Sequence, residues 1–152
     1  MKGDVFMRNT LRWLVISSIL YLVSAGIGTI IAFQQNLTAN FGGFLNGQDI
    51  LKDFLITNGT ALSAPLPFLI LQLLFTLLAL RMGWAGRIGV IGLIILGAIY
   101  TFAQLGEPIL LKLLTPSGFD LLQAIIFTVN VVTSFLILLM GIFEWRDRRR
   151  LN

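Results

Sequence analysis

The stretch 87–108, RIGVIGLIILGAIYTFAQLGEP, decides the fold. Residues 88–105 carry no charged side chain. At about 1.5 Å per residue, a helix of this length spans about 27 Å, which crosses most of the hydrocarbon core of a bilayer. A Gly-Glu-Pro sequence follows, and a residue that precedes proline disfavours the helical conformation. The stretch therefore predicts a membrane-spanning helix over 88–105 that ends at Gly106.

The composition of the whole chain agrees with a membrane protein. Hydrophobic residues make up 57% of the 152 residues and charged residues 12%, with a mean hydropathy of +0.90. A soluble domain usually has about twice this charged fraction. The net charge is +4, but the basic residues lie at the ends of apolar runs and form no stripe with interleaved aromatic residues. The pattern therefore argues against nucleic acid as a partner.

Three further apolar runs lie on either side of the central stretch, over 11–33, 63–80 and 121–145. The first is longer than the roughly 7–15-residue apolar core of a cleaved signal peptide, so we expect it to stay as a helix. The fold class that follows is an all-α membrane protein. It has four transmembrane helices in an antiparallel bundle, formed as a single domain over 1–152.

The connection 34–62 is the longest polar segment between the predicted spans. Ile50, Leu51, Phe54 and Leu55 recur with helical period, and Asn58-Gly59 is typical of a helix end. This pattern predicts a short amphipathic helix over about 48–57, on the membrane surface or against the end of the bundle. An ordinary folded loop is the alternative.

The distribution of the eleven lysines and arginines predicts the orientation. With four spans, nine of them fall on one side of the membrane, and only Lys52 and Lys112 fall on the other. The positive-inside rule then places both termini in the cytoplasm, with 146–152 as a basic cytoplasmic tail of a cell-membrane protein. Trp13, Trp84 and Trp145 fall at the same predicted interface, as an aromatic belt requires.

Each predicted span carries one polar or small face. One interpretation is that these side chains hydrogen-bond one another between helices, as is common in membranes. The other is a cavity in the outer half of the bundle that binds a ligand, with Glu107 at its mouth or in a cap of the Pro108 turn. The candidate ligand-binding residues are Gln72, Tyr100, Gln104, Glu107 and Asn130.

The arginines after the fourth apolar run form a second candidate site. They serve first as topology signals, and they are also candidates for contact with anionic lipid headgroups. The residues are Arg146, Arg148, Arg149 and Arg150.

The sequence does not favour an enzyme. Histidine and cysteine are absent, which removes the commonest general base, thiolate chemistry and the usual zinc ligands, so we expect no catalytic residue, metal or cofactor. Gly86-x-x-Gly89-x-x-Gly92 opens an apolar run and indicates helix packing instead of a phosphate loop.

Three non-enzymatic hypotheses remain. The first is a structural or accessory subunit, or a small membrane assembly, whose partners are the lipid bilayer and a second copy or another membrane protein. The second is a binding or carrier protein for a small apolar or amphipathic molecule. The third is an oligomeric channel lined by the amides. A pocket that reaches Asn130 and Gln104 favours binding, whereas a filled interior with paired amides opposes it.

Overall fold

The computed structural model describes residues 9–41, 45–115 and 118–150. Lys2 and Arg8, which entered the prediction of orientation, lie outside the described residues. Helices dominate, and one short antiparallel pair of strands accompanies them. The helices are α1 Asn9–Gln35, α2 Ile50–Ile56, α3 Leu66–Ala79, α4 Gly83–Leu105, α5 Ile109–Leu113 and α6 Leu121–Arg150; the strands are β1 Asn40–Phe41 and β2 Leu45–Asn46.

Three of these helices, α1, α4 and α6, are long and apolar enough to span a membrane. The fourth apolar helix, α3, has 14 residues, or about 21 Å of helix, which is shorter than a typical hydrocarbon core of about 30 Å. Two boundaries differ from those expected by five residues, and the others by three or fewer. Helix α4 begins at Gly83, before the apolar run itself. Helix α6 continues through the arginines to Arg150, where positive charges favour the last turn of a helix.

The four apolar helices pack in the order α1, α6, α4, α3, and neighbours run antiparallel. Gln123 at the start of α6 donates to Gln35 at the end of α1. At the other end, Thr10 Oγ1 donates to Glu144 Oε2 over 2.6 Å. We call the first end, which carries the connections 36–65 and 106–120, the loop end. The second, where α1 begins and α6 finishes, is the terminal end.

The interior of the bundle holds both an apolar core and buried polar side chains, whereas the exposed faces of the helices are apolar. In α1, Ser17, Tyr21 and Ser24 are buried, whereas Ile19 and Val23 are about half exposed, at 51% and 56%. An apolar exterior suits lipid, which offers hydroxyl groups no hydrogen-bond partner. The small and polar faces identified in the sequence are therefore the faces that pack.

Glycines permit the closest helix contacts. A β-carbon at Gly97 of α4 would lie 2.8 Å from the backbone nitrogen of Leu138 in α6, and one at Gly89 would lie 2.6 Å from the carbonyl oxygen of Phe75 in α3. No side chain fits at either contact without moving a helix. The packing role expected for the Gly86, Gly89 and Gly92 face is thus confirmed, since α3 lies directly against the last two of these glycines.

Candidate functional site

The segment 57–65, which we call the roof loop, closes the loop end above the packed helices. Helix α2 stops before it, because Gly59 adopts a positive φ of 79° that favours glycine. Within the loop, Thr60 and Ser63 exchange backbone hydrogen bonds of 2.8 and 3.2 Å. The N–H of Ala61 also donates to the carbonyl of Leu37 over 3.2 Å. The roof loop is therefore an ordered part of the fold.

One contact fixes the roof loop to the helices below it. Asn130 Nδ2 of α6 donates to the carbonyl oxygen of Leu62 over 2.8 Å. Leu62 comes this close because α1 has a glycine at the point of contact: a β-carbon at Gly28 would lie 2.7 Å from the same oxygen. The hydrogen bond from Asn130 and the absence of a side chain at Gly28 together fix the distance between the roof loop and the helices.

Between the roof loop and the helices lies a cavity of about 220 Å³. We call it the main cavity. Its lower walls are largely apolar and aromatic, from Phe68, Ile99 and Phe127, and α1 contributes Tyr21. Four of the sequence-predicted site residues border it, from two helices and the turn after α4: Tyr100, Gln104, Glu107 and Asn130.

Gln72, the remaining candidate, lies elsewhere. It is fully buried where α1 meets α3, and its Nε2 donates to the carbonyl and the hydroxyl oxygen of Ser18 over 3.1 and 2.9 Å. Ser18 is also hydrogen-bonded to Thr76 over 2.7 Å. The expectation that Gln72 lines the cavity is wrong in this structure, because its helical position turns it toward α1 below the roof.

Each of the two amides that border the main cavity has a hydrogen-bond partner for its nitrogen and none for its oxygen. Gln104 Nε2 donates to the hydroxyl of Tyr21 over 3.2 Å, and Asn130 Nδ2 donates to Leu62 as described. The carbonyl oxygens of both side chains are buried and have no hydrogen-bond partner. Asn130 is 2% exposed. Buried polar atoms in proteins are nearly always paired, so two unpaired acceptors at one cavity require an explanation.

Two tyrosines stiffen the wall beside these amides. The rings of Tyr21 and Tyr100 stack in parallel with centroids 4.6 Å apart. The hydroxyl of Tyr100 donates to the carbonyl oxygen of Phe68 over 3.0 Å. This bond uses a carbonyl near the start of α3, so the wall holds α1, α3 and α4 together.

Glu107 stands between the main cavity and a second one of about 280 Å³, which Lys112 and Asn40 also border. Its side chain accepts a hydrogen bond from the backbone N–H of Asn40 over 3.2 Å. Burial raises the pKa of Glu107 to about 7, and the bond from Asn40 opposes that rise. The carboxyl group is therefore bonded across to the 36–40 segment, instead of capping the turn at Pro108.

At the terminal end, the structure separates the four candidate lipid-binding arginines. Arg146, Arg149 and Arg150 are exposed, and Arg149 lies 5.5 Å from the ring of Trp145. Arg148 is buried: its Nε donates to Glu144 over 2.7 Å, and its Nη2 donates to the carbonyl of Ala79 over 2.7 Å. The expectation that Arg148 contacts lipid is wrong in this structure, because its guanidinium ties α6 to the end of α3.

Sequence reasoning missed part of the site. Most residues of the roof loop border the cavity, and no pattern in the sequence marks that contribution. Tyr21 could have been predicted from the sequence to face the interior, since it lies on the same helical face as Ser17 and Gly28. Among the described residues, no group of histidine, cysteine, aspartate or glutamate side chains could hold a metal ion.

The three apolar helices and their apolar exposed faces are compatible with an integral membrane protein of the helical class. Comparisons with protein-family models, with curated proteins and with solved structures find no match to the chain.

Proposed function

We propose that this chain is a non-enzymatic, multi-pass membrane protein that binds a small amphipathic molecule in the main cavity. The observation that carries the proposal is a cavity with apolar walls that is bordered by Gln104 and Asn130, two residues whose side-chain oxygens are buried and unpaired. Sites for small molecules combine such walls with a few convergent polar groups. The ligand would place a hydrogen-bond-donating head at the amides and an apolar body against Phe68, Ile99 and Phe127.

The size of the cavity limits the part of the ligand that enters it. A dry cavity of about 150 Å³ in another protein holds benzene. The main cavity, at about 220 Å³, is therefore suited to a ring or short chain with one polar group. A longer apolar tail would have to extend beyond it.

The alternatives draw less support from the same geometry. A purely structural subunit would gain from amides paired between helices, as Gln72 and Ser18 are paired. Gln72, Gln104 and Asn130 each leave the side-chain oxygen unpaired, but only Gln104 and Asn130 border the main cavity. For an oligomeric channel, amides should face a shared axis, but these amides point into a single chain and the outer faces around Ile19, Leu74 and Ile95 are apolar and exposed.

We also propose that all four apolar helices cross the membrane, with both termini in the cytoplasm. Helix α3 returns the chain from the loop end to the terminal end within its 14 residues, which supports a crossing through a locally thin region.

Helix α2 is proposed to lie on the membrane surface. Its carboxylate Asp53 is buried, and its exposed side chains include Leu51, Leu55 and Ile56. Arg146, Arg149 and Arg150 would then face anionic headgroups.

The proposed orientation has a direct test, because the chain contains no cysteine. Single cysteines replace Lys112 at the loop end and Arg150 at the terminal end, both of which are exposed. A membrane-impermeant maleimide added to intact cells should label Lys112→Cys and leave Arg150→Cys unlabelled until the cells are opened. Equal labelling of both, or the reverse pattern, would contradict the orientation.

Binding is tested by calorimetric titration of the purified protein in detergent micelles with 2-phenylethanol, using empty micelles as the blank. Wild type should show saturable binding at one site. Ala103→Leu fills the cavity from α4 and should abolish it. Ala98→Leu, on the same helix but outside the cavity lining, should bind like wild type. Saturable binding that persists in Ala103→Leu would place the ligand elsewhere.

A further inference from the structure

The charges around the main cavity limit the chemistry of the head group. Glu107 is the one charged side chain among the described residues that border this cavity. Gln104 and Asn130, whose side-chain oxygens are buried and unpaired, border the same cavity. Lys112 borders only the second cavity, and no ion pair joins it to Glu107 within the described ranges. Among the described residues at the main cavity, Glu107 is therefore the side chain that can balance a positive charge.

We infer that the main cavity receives the protonated amine of a small amphipathic molecule, with Glu107 as its counter-charge. This inference rests on the proposed binding function and names its ligand class. An ammonium group has three N–H donors and no acceptor. A hydroxyl group brings one donor and two lone pairs, which the open oxygens of Gln104 and Asn130 cannot use. An anionic head would meet the carboxylate of Glu107, and no cationic side chain is among the described residues that border this cavity.

The position of Glu107 supports a role at the boundary. It follows Gln104 by one turn of chain, and its N–H donates to the carbonyl of Gln104 over 3.2 Å. Its side chain is held toward the loop end by Asn40. A charge at the interface is also far less costly than one at the middle of the bilayer. The apolar part of an amine would therefore lie between Phe68 and Phe127, and its ammonium group would remain at the boundary beside Glu107.

The test compares two probes that differ only in the head group, 2-phenylethylamine and 2-phenylethanol. At pH 8 the amine should bind wild-type protein at least tenfold more tightly than the alcohol. Glu107→Gln should lose that preference and bind the alcohol within about twofold of wild type. Asp147→Asn removes the same charge at the terminal end and serves as the control, with the preference retained.

The outcomes separate the two proposals. If neither probe binds wild type, or if both probes bind Ala103→Leu as tightly as they bind wild type, the binding function itself fails. If both probes bind wild type with the same affinity and Glu107→Gln changes neither, the amine inference fails and the binding function stands. Circular dichroism establishes that Glu107→Gln retains its helices.

A second measurement needs no variant. Titration of Glu107 between pH 8 and pH 6 reduces its ionised fraction from about 0.9 to about 0.1, so the affinity for the amine should fall about tenfold. The other ionisable side chains bordering the two cavities are Lys112, Tyr21 and Tyr100. An affinity for the amine that is constant over this range would overturn the inference.

Discussion

The contact between Gly28 and the roof loop offers a quantitative test of the site's construction. Alanine at position 28 would place its β-carbon 2.7 Å from the carbonyl oxygen of Leu62 and 3.1 Å from its β-carbon. Ordinary contacts begin near 3.4 Å. The roof loop must therefore move about 0.7 Å from α1, and overpacking of this kind costs about 1–3 kcal/mol.

The same helix provides a matched control. Gly26 faces outward, and a β-carbon there would meet nothing within 4 Å. Both substitutions, Gly26→Ala and Gly28→Ala, gain the same intrinsic helix propensity of about 1 kcal/mol. The difference between the two variants therefore isolates the packing cost. We expect Gly28→Ala to unfold with a free energy about 1–3 kcal/mol below that of Gly26→Ala.

The displacement has a second consequence for Asn130. Its bond to Leu62, now 2.8 Å, would lengthen to about 3.5 Å after a movement of 0.7 Å directed away from α6, and a buried hydrogen bond contributes about 0.5–1.5 kcal/mol. Unfolding is followed by tryptophan fluorescence during titration with sodium dodecyl sulfate in mixed micelles. Unfolding free energies of the two variants that agree within about 0.5 kcal/mol would refute the proposed contact.

Three further predictions concern other parts of the polar interior. Gln72→Met should lower the unfolding free energy by about 0.6–2 kcal/mol through loss of the bonds to Ser18, while calorimetry shows an unchanged affinity for 2-phenylethanol. Arg148→Met removes a buried ion pair and should destabilise the protein by about 3–5 kcal/mol in the same micelle titration, whereas Arg146→Met, at an exposed position, should change the free energy of unfolding by less than about 0.5 kcal/mol. Since burial raises the pKa of Glu107 from 4.5 to about 7, the folded state holds this proton more tightly. The unfolding free energy of wild type should fall as pH rises from about 4.5 to about 7, and Glu107→Gln should lack that decrease.

The sequence predicts the helices well because lipid imposes a simple rule on them. A helix that crosses the hydrocarbon core must be long and apolar, so a run such as 88–105 can be recognised in the sequence. The inward faces follow from the same rule, since Ser17, Tyr21 and Asn130 have no partner in lipid. Burial of all three agrees with that expectation.

The details of the site depend on contacts that periodicity does not contain. Gln72 and Gln104 both lie on polar faces, yet only Gln104 borders the cavity, because Gln72 is turned toward Ser18 of α1. Arg148 looks like any other residue of a basic tail. It is buried because α6 continues as a helix, which brings it one turn beyond Glu144 and beside the carbonyl of Ala79.

The unpaired oxygens themselves have a common physical origin. Helices pair each backbone N–H with one carbonyl oxygen, and that oxygen keeps a second lone pair, so an interior of packed helices is short of donors and rich in acceptors. Every buried side-chain atom without a partner in the described part of the chain is an oxygen: Asp53 Oδ2, Gln72 Oε1, Gln104 Oε1, Gln123 Oε1 and Asn130 Oδ1. An open acceptor alone is therefore no sign of a ligand in such a protein. Gln104 and Asn130 differ from the other three because their side chains border an apolar cavity. A molecule that enters this cavity with N–H donors supplies what the packed helices lack.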